Sequence, residues 1–350
     1  LSVFKDLVSD HKVISFVGTG GVGKTTFSLA TAIAAAKEGL KVAAITVDPS
    51  KRLSLSLGLQ GGNDQKFSVD WSEFKGSLDV FALDTEQTFL RFIRTGLSDQ
   101  SVDTLTKNKI FKQISKNLRE THNFAAIYRL FEVCKDQSYD LIVLDTPPSQ
   151  AAIDFFEAPK KLNQFFSFDG FQGWGEKKSF RWIGSRGLSI VGPILKRLVG
   201  ESFLDEMINF FKGVNHLKSE VQAVTSELLE LLQGPEAQLV LITSPAKDKY
   251  HDAVKLVDKL SGQGFSIKKA VINQAYEDWL DQWGDSIEGG GEDWPIFLHY
   301  MIQQRAMAIE ARTQMLQADF EEVFLLPKKD FKTFEKNEML ELARALKENW

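Results

Sequence analysis

Nine residues near the start of the chain, Gly18-Thr19-Gly20-Gly21-Val22-Gly23-Lys24-Thr25-Thr26, have the types and spacing to hold a polyphosphate. Glycines let backbone N–H groups curl around an anion, and a helix that starts at the end of the loop adds the positive end of its dipole. In such a loop Lys24 reaches the terminal phosphates of a nucleoside triphosphate, and the Thr25 hydroxyl takes Mg2+. Gly20, Gly21, Val22, Gly23, Lys24, Thr25 and Thr26 are therefore the candidate nucleotide-binding residues. A glycine-rich turn alone says little. The full spacing between an apolar run at 13–17 and a helical pattern at 27–38 is specific.

Two aspartates extend the constellation. Asp145 closes Leu141-Ile142-Val143-Leu144, a wholly apolar run of the kind found in central parallel strands. Asp48 closes another run at 42–47. Ligands of open α/β sheets sit at the carboxyl ends of strands. That places Asp145 to hold Mg2+ and its waters, and Asp48 to serve the same ion or to orient water. The plainer use of either residue is to form a turn or cap a helix.

These side chains need a scaffold, and the rest of the chain supplies its pattern. Strand-like runs at 13–17, 42–47, 80–83, 141–144, 239–242, 270–272 and 323–326 alternate with helical periodicity, which implies a mainly parallel sheet with right-handed crossovers. Residues 86–137 read as helices. Between 151 and 237 the rhythm changes. An aromatic and basic loop at 165–187 leads to helical spacing at 188–198, then to a helix capped by Ser202, then to a further helix carrying Leu217, Val221, Val224, Leu228 and Leu231. Residues 277–294 read as an acidic surface loop, followed by helices at 302–316 and 335–348. The expected organisation is a three-layer P-loop NTPase fold of the α/β class. Its nucleotide-binding core is drawn from 1–85, 139–150 and 238–350, and an α-helical insertion subdomain from 86–138 and 151–237.

Bulk properties exclude some classes. A net charge of −5 and no long basic stripe give no reason to expect nucleic acid. A single cysteine, Cys134, leaves no internal disulfide framework and no CxxC zinc site within the chain, a composition that fits a reducing cytoplasm. No apolar run approaches the ~20 residues that span a bilayer, so an integral membrane protein is not expected. The charged opening at 1–11 does not read as a signal peptide. Twenty-seven phenylalanines and seven tryptophans read first as an aromatic-rich core, and second as lining for a ligand or partner groove.

With these motifs in place the chain resembles the arsenite-pump and tail-anchored-protein-targeting ATPase family, a class with a deviant phosphate loop. The matching segments are GTGGVGKTT at 18–26, VDPSKRLSLSLG at 47–58, LDTPPSQAAIDFFEAP at 144–159, INQ at 272–274 and FLLP at 324–327. The resemblance implies Mg2+-dependent ATP hydrolysis, with a first switch from Asp48 and a second from Asp145. It implies that Asn273 contacts adenine and that the segment from Pro327 lies over the base. It also implies a dimer, with itself or with a related ATPase, that closes over two ATP molecules and moves a helical subdomain carrying a cargo groove.

Three departures qualify that picture. The family's loop has a lysine where Thr19 stands, and that lysine reaches the partner's phosphates as an arginine finger does. Lys51 and Arg52 are candidates to replace it, or are a solvated surface pair. The family's first switch has an aspartate where Leu55 stands, which leaves Asp48 to orient water or leaves hydrolysis slow. The paired cysteines that hold zinc or metalloid in the family are missing, which argues against arsenite extrusion and against a zinc-clamped dimer.

The functional expectation is thus a nucleotide-dependent dimeric ATPase switch that binds a hydrophobic segment or partner protein, with Leu195, Phe203, Met207, Phe210 and Phe211 as the groove. The alternatives are a small-molecule kinase or phosphotransferase using the insertion as a lid, and a weakly hydrolysing nucleotide-binding regulatory subunit.

Overall fold

The apolar runs become the centre of one sheet. The computed structural model describes residues 10–46, 66–82, 85–109, 112, 119–167, 201–275, 294–326, 328 and 336–349, with only the backbone at 82, 85–86, 119–122, 149–150, 165–167, 201–216, 294–298 and 348–349. Its strands are β1 (Val13–Gly18), β2 (Lys41–Thr46), β3 (Lys66–Val69), β4 (Ser77–Ala82), β5 (Leu141–Asp145), β6 (Ala237–Thr243), β7 (Lys269–Ile272) and β8 (Glu322–Leu325). They lie in the order β3-β4-β2-β5-β1-β6-β7-β8. All neighbours run parallel except β3 and β4. β1 and β5 are buried along their whole length, as strands at the centre of a parallel sheet are.

The described helices are α1 (Lys24–Glu38), α2 (Thr85–Gly96), α3 (Asp99–Lys107), α4 (Arg119–Lys135), α5 (Ser149–Ser167), α6 (Glu201–Gln233), α7 (Lys247–Ser261), α8 (Trp294–Gln317) and α9 (Lys336–Asn349). Alternate residues of the sheet show how helices cover it. Ile14, Phe16, Val42, Ala44, Val143, Val240 and Ile242 join the inner faces of α1 and α9 in one buried cluster. The intervening residues Val17, Ala43, Ile45, Ile142, Leu144 and Leu241 are equally buried, so the opposite sheet face is covered too. The result is a three-layer α/β arrangement, with nine helices and eight strands among the described residues.

The chain divides into two compact units, one formed by Leu1–Leu83, Glu132–Ile153 and Leu231–Trp350, the other by Asp84–Phe131 and Asp154–Glu230. The first holds the sheet. The second is helical, and aromatic rings fill its core. The Phe92 ring lies edge-on to Phe124 at 4.9 Å and to Tyr128 at 5.2 Å, and all three are buried. No described helix is long and apolar enough to cross a membrane.

Three elements differ from the sequence reading. β3 is a short antiparallel edge strand that the apolar pattern did not reveal, because only Val69 of its four residues is buried. The helix expected to start after a Ser202 cap and the helix through Leu217–Leu231 are one continuous helix, α6, of 33 residues. Ser202 lies inside it, and Gly213 does not break it. A single helical glycine costs only about 1 kcal/mol relative to alanine, too little to interrupt a long helix without proline. Finally, α8 begins at Trp294 rather than near Ile302, with Pro295 in its first turn, where a missing N–H removes no helical bond.

The packing of the helical unit yields a prediction. Phe92 is fully buried among aromatic rings, so Phe92→Ala should cost about 3–5 kcal/mol through lost burial and a cavity. Urea denaturation followed by far-ultraviolet circular dichroism measures this, and a loss below about 1 kcal/mol would contradict a closed aromatic core.

Candidate phosphate-binding site

β1 delivers the chain to the carboxyl end of the sheet between β5 and β6, and the glycine loop turns there before α1 begins at Lys24. Gly21 and Gly23 adopt φ of 79° and 88°, left-handed values that side chains with a Cβ resist. Successive amides in such a turn point to a common centre and form an anion-binding concavity. Among the described residues, the N–H groups of Gly20, Gly21, Val22 and Gly23 donate no hydrogen bond. The loop therefore presents unpartnered donors beside a helix N-terminus, the arrangement that suits a phosphate.

Lys24 is buried, 7% exposed, and its Nζ donates to the carbonyl oxygen of Thr19 at 2.8 Å, across the loop. Burial pushes its ammonium below the ordinary lysine value; the Asp145 charge opposes that shift and Lys249 adds to it. Asp145 is the last residue of β5 and is also buried. The sheet register sets it beside Thr46 of β2 and Phe16 of β1. Thr46 Oγ1 donates to Asp145 Oδ2 at 3.3 Å, and Thr146 Oγ1 donates to the Phe16 carbonyl at 2.6 Å.

Thr25, Ser28, Thr46 and Asp145 line one small cavity with Leu29, Ala44, Ile45, Val80 and Val143. A hard cation such as Mg2+ takes oxygen ligands, commonly one or two carboxylates with water and substrate phosphate. Thr25 and Asp145 both line this cavity, and a hydroxyl and a carboxylate are donors of the kind Mg2+ takes, as the loop amides and Lys24 are of the kind a triphosphate takes. Among the described residues, no group of three or more His, Cys, Asp or Glu side chains gathers to hold a metal ion.

The structure thus brings Gly20 through Thr26 together with Asp145. It places Asn273 against the loop, where its Nδ2 donates to the Val22 carbonyl at 2.8 Å. Asp48, Lys51, Arg52, Leu195 and Pro327 lie outside the described residues. Phe203, Met207, Phe210 and Phe211 fall on α6, where only the backbone is described. Two residues escaped the sequence reading, Thr46 and Ser28, while Thr146 fell within the second switch that the resemblance implied. Only Thr46 had a usable signal, because two apolar strands ending at 46 and 145 and pairing in parallel put those residues side by side. Cys134 is half-buried, and burial pushes its thiol up to about 12.

The model of a family described as Anion-transporting ATPase matches residues 11–286. The chain is 23% identical over 265 residues to a Cryptosporidium parvum protein called ATPase ASNA1 homolog, covering 73% of this chain and 63% of that protein, just under two thirds of its length. It is 24% identical to ATPase ASNA1 homolog 1 of Paramecium tetraurelia, covering 73% of each chain. It is 20% identical to the Putative arsenical pump-driving ATPase 1 of Aquifex aeolicus, covering 87% of this chain and 78% of that one.

Two predictions follow from the geometry. A buried ammonium is costly, and an apolar side chain of similar shape in its place is often neutral or stabilising. Lys24→Met should therefore keep or raise the melting temperature of the nucleotide-free protein while weakening ATP binding at least about 100-fold. Because the folded-state pKa of Lys24 is lowered, the penalty is present below that pKa and is relieved as pH rises from it toward 10.5. The stabilising effect of the substitution should shrink over the same range, and a variant that melts lower at neutral pH and still binds ATP would contradict both arms. Separately, a thiol pKa of about 12 should make alkylation of native Cys134 by iodoacetamide at pH 8 roughly 1,000-fold slower than in the urea-unfolded chain.

Proposed function

The chain belongs to the anion-transporting ATPase family, and we propose that it is a Mg2+-dependent ATPase that acts as a dimeric, nucleotide-controlled switch for a hydrophobic segment or partner protein. The observation that carries the proposal is the convergence at one sheet end of unpartnered loop amides, Lys24, Thr25 and Asp145. In this reading the loop amides bind the β- and γ-phosphate oxygens of ATP. Lys24 leaves the Thr19 carbonyl to meet the charge that develops on them, a form of preorganised electrostatic stabilisation. Thr25 and Asp145 would hold Mg2+, which when bound would neutralise phosphate charge. Thr46 holds the Asp145 carboxylate in place through its hydroxyl. Asp48 orients the attacking water, and Lys51 or Arg52 supplies the cation that a partner subunit would receive.

The nucleotide core is assigned to 1–85, 139–150 and 238–350 and the helical subdomain to 86–138 and 151–237. Support for the partner role comes from the apolar residues of the helical insertion, with Leu195, Phe203, Met207, Phe210 and Phe211 as the proposed lining. A second reading, a regulatory subunit with little hydrolysis, is favoured by Thr19. Its side chain is 2% exposed and stands where a cross-subunit lysine would need to leave the surface.

Phosphate release from ATP and solution mass with ATP, ADP and no nucleotide test the proposal together. The expected result is release at a rate well above that of Lys24→Met, with a dimer favoured by ATP. A rate equal to that of Lys24→Met removes the hydrolysis and leaves the regulatory reading. A mass that is monomeric in all three states removes the dimeric switch.

A further inference from the structure

Asn273 follows the last residue of β7, and the structure fixes it at both ends. Its backbone N–H donates to the Thr243 carbonyl at 2.8 Å, tying it to the end of β6. Its side-chain Nδ2 donates to the Val22 carbonyl at 2.8 Å. A carbonyl oxygen only accepts, so this bond uses the NH2 side of the amide and leaves Oδ1 for something else. The loop is packed tightly on that amide: a Cβ built on Gly23 would stand 2.7 Å from Nδ2.

The consequence lies in the peptide that joins Val22 to Gly23. In a trans peptide the C=O and the following N–H point in opposite directions. Holding the Val22 oxygen on Asn273 therefore aims the Gly23 N–H away from it, and that N–H has no other partner among the described residues. A peptide whose second residue is glycine is also one that turns over easily, since glycine accepts both signs of φ. Turned over, it would present a carbonyl oxygen where an anion needs a donor.

We propose that Asn273 is a positioning residue for the phosphate loop, holding the Val22–Gly23 peptide so that the Gly23 N–H faces the phosphate. This rests on the assignment of the loop as a nucleoside-triphosphate site. It is separate from any contact Asn273 makes with the base, because a brace on the loop acts on every polyphosphate, with or without a nucleobase.

The experiment compares tripolyphosphate with ATP by isothermal titration calorimetry on the full chain. Asn273→Ala should weaken both ligands by a similar factor, about 10-fold, the cost of one directed hydrogen bond. The melting temperature of the nucleotide-free variant should stay close to that of the wild type. With 15N-glycine labelling, saturating tripolyphosphate should move the Gly23 amide proton downfield in the wild type. In Asn273→Ala that shift should be lost at Gly23 and kept at Gly21. Unchanged tripolyphosphate affinity in Asn273→Ala, with ATP alone weakened, overturns the brace and leaves a base contact. A wild-type chain that binds neither ligand overturns the phosphate site and the brace with it.

Discussion

A phosphate loop must hold its shape without using its own N–H groups. Those groups are the ones the proposed site offers to phosphate, so every bond that fixes the loop has to fall on a carbonyl instead. The structure meets this constraint repeatedly. Thr146 donates to the Phe16 carbonyl at the end of β1. Lys24 donates to the Thr19 carbonyl, Asn273 to the Val22 carbonyl, and the Phe27 N–H to the Gly23 carbonyl. The donors come from β5's end, from α1 and from the end of β7. The order of strands around β1 is what brings them within reach. Sheet topology and phosphate binding are thus one problem, because the neighbouring strands carry the donors that keep the loop's amides uncommitted.

The same loop sets the electrostatics. A buried Lys24 beside a buried Asp145 is costly in an empty site, and its ammonium is correspondingly easier to deprotonate than an exposed lysine. Its bond to the Thr19 carbonyl offsets part of that cost, and a triphosphate offers a stronger partner for the same ammonium. Thr46 plays the matching part for the carboxylate, through a bond that the parallel register of β2 and β5 makes local.

Much of this was legible from residue types. The glycine spacing located the loop, and the four apolar residues before Asp145 located the strand that carries it, because a run with no polar alternation has no exposed face. What stayed hidden was relational. The resemblance pointed Asn273 at adenine, but nothing in the sequence showed its bond to Val22, which spans 251 positions. β3 hid because an edge strand buries too little to show a pattern, with one buried residue in four. The length of α6 was misjudged for the opposite reason. A cap at Ser202 and the stripe from Leu217 were read as two helices, although a single weak position between them cannot interrupt a long helix that holds no proline.

Thr19 carries the argument furthest from family expectation. A residue that stimulates hydrolysis across a subunit interface must extend a cation away from its own chain. Here the residue is 2% exposed, its carbonyl accepts from Lys24, and its hydroxyl has no partner among the described residues. The position is therefore turned into the protein, serving the lysine of its own loop. Any cross-subunit cation in this chain consequently has to come from another segment. The first switch, with Lys51 and Arg52 directly after Asp48, is the place where the sequence offers one.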